Sequence, residues 1–176
     1  MPYSVPVKQT HYDGHHFRSL QEARFACFFN ELEIDYTYEP DTYEFPLTET
    51  SPLLPTHPSN SVKYIPDFYL PTYDTFIEVK GKYPLPIECF KAWALSKQTN
   101  KQVIIMWSLK HRITSGYSIV FYPDGELEMN ISFTQCHLCD RIGLGKGQCI
   151  HCQTPIQKGI REDIKKALIF AQQKEF

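Results

Sequence analysis

The chain has 176 residues, 42% hydrophobic and 22% charged, with a formal net charge of −2. That is the length for one good core and a small appendage, and the balance of a globular protein rather than a disordered one. No apolar run approaches the roughly 18 residues that a membrane-crossing helix needs, and the opening MPYSVPVKQTHYDGHH lacks the basic and apolar regions of a secretion signal, so the expectations are no membrane and a cytoplasmic location.

Charge is unevenly spread. Residues 1–135 carry 11 Lys and Arg against 16 Asp and Glu, whereas residues 136–176 carry 7 against 4. An acidic body with a basic tail suits an enzyme that gathers metal ions and recruits an anionic substrate separately, and it is equally the pattern of ordinary solvated charge.

In chain order, FRSLQEARFACFFNELEI (17–34) reads as a helix. Ser19 followed by Glu22 matches a capping box, and Leu20, Ala23 and Cys27 line one face, with Phe25, Phe28 and Leu32 widening it. YTYEP (36–40) reads as an aromatic strand. The prolines of residues 46–60 forbid regular structure and mark a long surface loop of unassigned role. VKYIPDFYL (62–70) and TFIEVKG (75–81) read as strands joined by a connection of hairpin length, PTYD. Pro84 and Pro86 open a helix over IECFKAWALSKQT. QVIIMW (102–107) has the continuous apolar character of a strand buried on both faces. YSIVFY (117–122) is a further strand that turns through Pro123-Asp124-Gly125 into ELEMNI, and the chain closes on a helix striped by Ile160, Ile164, Leu168 and Ala171. Cys27 and Cys89 fall in apolar helical patterns and read as buried small hydrophobes. The expected fold class is α/β, with a mixed central sheet flanked by helices over residues 1–130 and a small zinc-ribbon-like module over 131–176.

The strand TFIEVKG carries the chemistry. Side chains alternate faces along a strand, so Glu78 and Lys80 project together while Ile77 and Val79 can enter the core. Asp67 lies on the preceding strand, brought alongside by the short connection. Hydrolysis of a phosphodiester needs charge neutralised on the phosphate and a nucleophile made from water. Asp67 and Glu78 would supply oxygen ligands to Mg2+ (or Mn2+), the Val79 carbonyl could add one, and Lys80 would polarise the attacking water and stabilise developing negative charge. A surface hairpin with an ordinary ion pair is the plainer reading of those three side chains alone.

The whole arrangement is more specific. Pro66-Asp67, ten residues, then Glu78-Val79-Lys80-Gly81 resembles the signature of the PD-(D/E)XK nuclease superfamily. Tyr12, Gly14, Phe17-Arg18-Ser19, Glu22-Ala23-Arg24 and Tyr38-Glu39-Pro40 resemble the start of its phage and bacterial members, including resolvase-like and transposon-end-cleaving nucleases. The resemblance covers residues 12 to about 107. It implies a restriction-endonuclease-like core, catalysis by Glu22, Asp67, Glu78 and Lys80 with Glu22 joining the metal site, and DNA as substrate. A homodimer is the common arrangement of such enzymes, and a protein partner in a phage or mobile-element system is a further expectation. Glu22 has a competing role in the capping box. Arg18 and Arg24, and more weakly Lys91 and Lys97, are candidate phosphate contacts or solvated surface charges.

Cys136-x2-Cys139-x9-Cys149-x2-Cys152 has the spacing of a closed four-thiolate zinc site, which argues for structure rather than catalysis; two disulfides, free thiols or an iron–sulfur cluster are the other readings, and His137 and His151 are alternative ligands that a four-thiolate site does not need. Gly143, Gly145 and Gly147 lie between the two pairs and would supply turn freedom. The module could grip DNA through Arg141, Lys146, Lys158, Lys165 and Lys166, or only fasten the last helix to the core. His11, His15 and His16 have no further ligand pattern beside them. No GxSxG elbow and no phosphate-binding glycine loop occur. The leading expectation is a metal-dependent endodeoxyribonuclease. Its rivals are a catalytically silent nucleic-acid-binding or adaptor protein that works through the zinc module, and an RNA-cleaving relative.

Overall fold

In the computed structural model the described residues are 8–47, 61–107, 118–145, 148–149, 151–155 and 162–176. Residues 48–60 of the proline-rich stretch, together with Tyr117, Lys146, Gly147, Lys158 and Ile160, lie outside them.

The backbone is mixed α/β, with a six-stranded sheet and three α-helices among the described residues. Its central strands are β7 (Thr75–Lys80) and β8 (Gln102–Trp107), paired in parallel and connected by α2 (Pro86–Thr99). β9 (Ser118–Phe121) and β10 (Leu127–Met129) extend the sheet beyond β8. β6 (Phe68–Leu70) and β3 (Thr37–Tyr38) extend it beyond β7. All pairings other than β7–β8 are antiparallel. No helix among the described residues is long and apolar enough to cross a membrane.

The strand period of two divides the core. Ile77, Val79, Ile104, Met106 and Val120 enter one apolar cluster with α1 (Leu20–Glu31) and α3 (Glu162–Gln173). Phe76, Val103, Ile105, Trp107, Ile119 and Phe121 enter the other, with α2 and the ribbon β4 (Tyr43–Pro46) and β5 (Ser61–Tyr64). Both faces of the sheet are covered, which is why QVIIMW carries no polar alternation.

Three elements differ from the sequence reading, each for a local reason. The first helix begins at Leu20, because Thr10–Tyr12 (β1) and His15–Phe17 (β2) form a hairpin. Asp13 (φ 48°) and Gly14 (φ 76°) at its tip have the positive φ of a type I′ turn. Residues 62–70 are two strands rather than one, since Pro66 cannot donate to a ladder. Pro46, read as loop, ends β4. Cys89 is half-buried, whereas Cys27 is buried as expected.

Residues beyond 130 share the first core. Phe133 of β11 (Ser132–Gln135) meets Phe28 and Phe29 edge-on at 5.3 and 5.8 Å. Ile131, Leu144 of β12 (Ile142–Gly145), Ile164, Ala167, Leu168 and Ala171 join the same cluster. Phe29 is its hub, touching Phe25, Phe28, Tyr36, Phe68 and Phe133. Phe29→Ala should cost about 3–5 kcal/mol in urea unfolding. A loss below about 1 kcal/mol would show that the aromatic cluster is not the central core.

Candidate functional site

A cleft of about 410 Å³ opens where β5 and β6 part, lined by Arg18, Glu22, Lys63, Tyr64, Asp67, Glu78, Val79, Lys80, Glu88 and Lys91 among others. The parting has a cause in the chain. β6 pairs with β7 only as far as Phe68 opposite Ile77. At Asp67, just past the bend, the carboxylate takes over the ladder: Val79 N donates to Asp67 Oδ2 at 2.7 Å. The N–H and C=O of one strand residue leave on the same edge, so the Val79 carbonyl is also on the Asp67 side.

Glu78 and Lys80 share the α2 face of β7, as strand alternation requires. The buried Tyr64 hydroxyl donates to Glu78 Oε2 at 2.8 Å. Lys80 Nζ lies 2.6 Å from Glu78 Oε1 and 3.1 Å from Glu88 Oε1. Glu88 itself is fixed, because Leu85 N at the start of α2 donates to its Oε2 at 2.6 Å. Tyr64 and Glu88 were missed by sequence reasoning. For Glu88 a signal was present: an acidic residue in the first turn of a proline-initiated helix directly after the strand that carries Glu78 and Lys80.

Glu22 reaches the cleft but is fully engaged. Ser19 Oγ donates to its Oε1 at 2.6 Å, and Tyr38 OH (2.7 Å) and Arg18 N (3.1 Å) donate to its Oε2. Ser19 Oγ in turn accepts from Glu22 N, so the capping arrangement foreseen at the helix start is present. Arg18 stands at the cleft mouth, its guanidinium paired with Asp67 Oδ1 at 3.1 Å and Glu39 Oε1 at 2.5 Å.

The three carboxylates interact through a poorly solvated space. Burial first, then the Glu78 and Glu22 charges, raise the Asp67 carboxyl well above its usual 3.8; the Val79 N–H and Lys80 oppose this without prevailing. Burial likewise raises the Tyr64 hydroxyl, aided by Glu78 and Asp67, and keeps it protonated. Burial alone would lower Lys80, but Glu78, Glu88 and Asp67 together push it up, so it is an ammonium. Folding therefore favours protonated Asp67. The stability this contributes is complete below pH 3.8 and is lost as pH rises through the elevated folded value. Asp67→Asn, neutral throughout, should raise the Tm of metal-free protein at about pH 8, with the gain shrinking toward pH 4. An unchanged or lower Tm at the alkaline end would mean that the Arg18 and Val79 contacts outweigh burial.

The other basic candidates separate. Lys91 lines the cleft, its Nζ 5.9 Å from the Tyr64 ring centroid. Lys97 is exposed in the last turn of α2, on the order of 13 Å along the helix from Glu88. Arg24 is half-buried on α1 and does not line the cleft; its Nε is buried with no hydrogen-bond partner among the described residues. Arg141 is exposed beside the cysteine group. His11, His15 and His16 are exposed on the β1–β2 hairpin, where His11 and His16 stack at 4.3 Å and join no metal-type cluster among the described residues.

The cysteines converge. The four Sγ atoms of Cys136, Cys139, Cys149 and Cys152 lie within 4.8 Å of one another, with Cys136–Cys152 at 3.5 Å and Cys139–Cys149 at 3.7 Å. A tetrahedral ion with metal–sulfur bonds of about 2.3 Å would separate its sulfurs by about 3.8 Å, so the group could hold a metal such as zinc.

The two halves repeat one knuckle. Leu138 N donates to Cys136 Sγ and His151 N to Cys149 Sγ, both at 3.4 Å. Asp140 N donates to Cys136 O, and Gln153 N to Cys149 O. The left-handed positions are Asp140 (φ 59°) and Gln153 (φ 62°) rather than glycines, while Gly143 and Gly145 sit in β12. His151 Nε2 lies 3.0 Å from Ile142 O, which gives that ring a role other than ligation.

The thiols hold their protons unequally. Hydrogen bonds from the Cys139 and Leu138 backbone lower Cys136, and the Thr154 hydroxyl and backbone lower Cys152 to about 6. The Arg141 backbone would lower Cys139, but burial and the three neighbouring sulfurs push it up to about 11. One metal ion per chain is expected by elemental analysis, lost in Cys139→Ser. Metal-free wild type with an unchanged Tm would remove its structural role.

Among the carboxylates of the described residues, no three offer ligand atoms gathered as closely as these sulfurs do. Comparison of the chain with protein-family models, with curated proteins and with solved structures finds no match in any of the three.

Proposed function

We propose that the protein is a metal-dependent endonuclease of the PD-(D/E)XK type, with a restriction-endonuclease-like core, and that it hydrolyses phosphodiester bonds in DNA. The observation that carries this reading is the fork at Asp67. It puts two buried carboxylates and a lysine in one cleft, at the carboxyl end of a parallel strand pair where ligands of open α/β sheets commonly bind.

Asp67 and Glu78 would hold Mg2+ or Mn2+, with the Val79 carbonyl on the same edge. The donor set is hard oxygen, and burial first, then the Glu78 and Glu22 charges, push the Asp67 carboxyl up, so a divalent cation would offset charge that the site compensates poorly. Such an ion supplies charge neutralisation at the phosphate and a more acidic bound water.

The remaining roles belong to the chain. Lys80, charged and held between Glu78 and Glu88, cannot accept a proton; it orients the nucleophile and stabilises charge that develops on phosphate oxygens. Tyr64 fixes the Glu78 rotamer, leaving Oε1 toward Lys80. Arg18 at the mouth is positioned to exchange Asp67 for a substrate phosphate. Glu22, held by three donors, contributes charge from the far wall and would have to leave Ser19 to ligate. The cysteine group would carry structural zinc that secures the final third of the core.

Asp67→Asn and Glu78→Gln should each lower magnesium-dependent cleavage of labelled single-stranded, duplex and four-way-junction DNA by at least about 100-fold, with circular dichroism unchanged. Glu22→Gln should cost less than either. Undiminished cleavage in both principal variants would end this reading. Tight, salt-sensitive binding without cleavage by wild type would favour the silent nucleic-acid-binding protein, and cleavage restricted to RNA the third reading.

A further inference from the structure

We propose that Tyr83 is a stacking platform for an unpaired base, which makes the occupant of the cleft a single-stranded nucleic-acid segment. The proposal rests on the nuclease reading for what the cleft does, and on separate observations for what it takes.

Tyr83 belongs to neither apolar cluster. Its side chain is 61% exposed, against 43% for Phe170 and 40% for Trp93, the other exposed large aromatics among the described residues. A ring left this open gains little from folding, and an open ring that is also held still is a ready surface for a ligand.

Tyr83 is held. Its ring meets Trp107 edge-on, with centroids 5.2 Å apart. The next residue, Pro84, is buried, and Leu85 N is tied to Glu88. The short segment 81–85 is thus braced at its C-terminal side and presents Tyr83 outward.

Its position is what connects it to the site. Trp107 stands opposite Lys80 in the β7–β8 register, so the aromatic pair lies at the end of the sheet where Lys80 enters the cleft. Tyr83 is three residues beyond Lys80, within about 11 Å along the chain. Lys82 is exposed beside it, and Arg18, Lys63 and Lys91 line the cleft. Cations that follow a phosphate backbone, next to an open aromatic ring, are the two components of single-strand binding. Within a duplex the base faces are already stacked and mainly their edges are offered, so a tyrosine ring takes a base face most readily where the base is unpaired.

The test is fluorescence anisotropy in EDTA, where no cleavage occurs, with labelled oligothymidylate of about twenty nucleotides, an abasic strand of equal length and a duplex of equal length. Tyr83→Ala should weaken oligothymidylate binding about 5- to 100-fold while leaving the abasic strand unaffected, and Tyr83→Phe, which keeps the ring, should bind like wild type. Tyr83→Phe keeps the contact with Trp107, and an unchanged circular dichroism spectrum for Tyr83→Ala shows that losing it leaves the fold in place. Oligothymidylate binding by Tyr83→Ala within about twofold of wild type, an equal loss on the abasic strand, or wild-type preference for duplex would each overturn the proposal. Magnesium cleavage of the same strand, with Asp67→Asn beside it, separates the two readings. Cleavage by wild type together with unaltered binding by Tyr83→Ala sinks the stacking role alone. Ring-dependent binding without cleavage sinks the nuclease alone.

Discussion

Between Asp67 and Val79 a side-chain carboxylate does the work of a backbone carbonyl. Pro66 prevents β6 from continuing its ladder, the chain bends, and the β7 edge is left with an N–H that has no strand partner. Asp67 accepts it at 2.7 Å. That one bond orients the carboxylate, closes the exposed edge of the sheet and holds open the gap between β5 and β6 in which Glu78, Lys80 and Tyr64 meet. Its cost is a buried carboxyl beside two others, visible in the raised pKa of Asp67.

Around this fork, charge is organised by pairs that share members. Glu78 joins Tyr64 to Lys80, Lys80 joins Glu78 to Glu88, and Glu88 joins Lys80 to the start of α2. On the opposite wall Glu22 joins Ser19, Tyr38 and the Arg18 backbone, and the Arg18 guanidinium joins Asp67 to Glu39. Glu22, Asp67 and Glu78 are buried, whereas the Arg18 side chain at the mouth is 52% exposed. Such chains hold side chains in single rotamers, the condition for a site built to tolerances of a fraction of an ångström.

Much of this was legible in the residues, and the parts that were not have physical reasons. Alternation along TFIEVKG placed Glu78 and Lys80 together because period two is a property of any strand. The cysteine spacing foretold a closed group because two short knuckles can bring four sulfurs together in few ways. The hairpin at Asp13-Gly14 was signalled by a strong local turn pair and overlooked because its strands are three residues each. The β4–β5 ribbon was not readable, since its two strands are separated by a long proline-rich stretch and pair without local cues. Tyr64 and Glu88 enter the site through tertiary placement: a tyrosine in a strand reads as core, and an acid in a first helical turn reads as a cap. Both are those things as well. The knuckle turns at Asp140 and Gln153 show the converse, glycine being sufficient for a left-handed residue but not required.

The first helix and the residues after 130 share one aromatic core, with Phe133 set against Phe28 and Phe29. Synthesis runs in one direction, so α1 emerges from a ribosome with its sheet-facing and α3-facing sides both uncovered. At roughly 5–20 residues per second, its partners on α3 follow on the order of ten seconds later. Through that interval Phe29 can find Tyr36, Phe68 and the growing sheet, but the sides of the helix that meet Phe133 and α3 have no native surface to bury against. A chain stopped within the cysteine segment would therefore have the strand that carries Glu78 and Lys80 complete, while the face of its first helix that meets α3 stays uncovered.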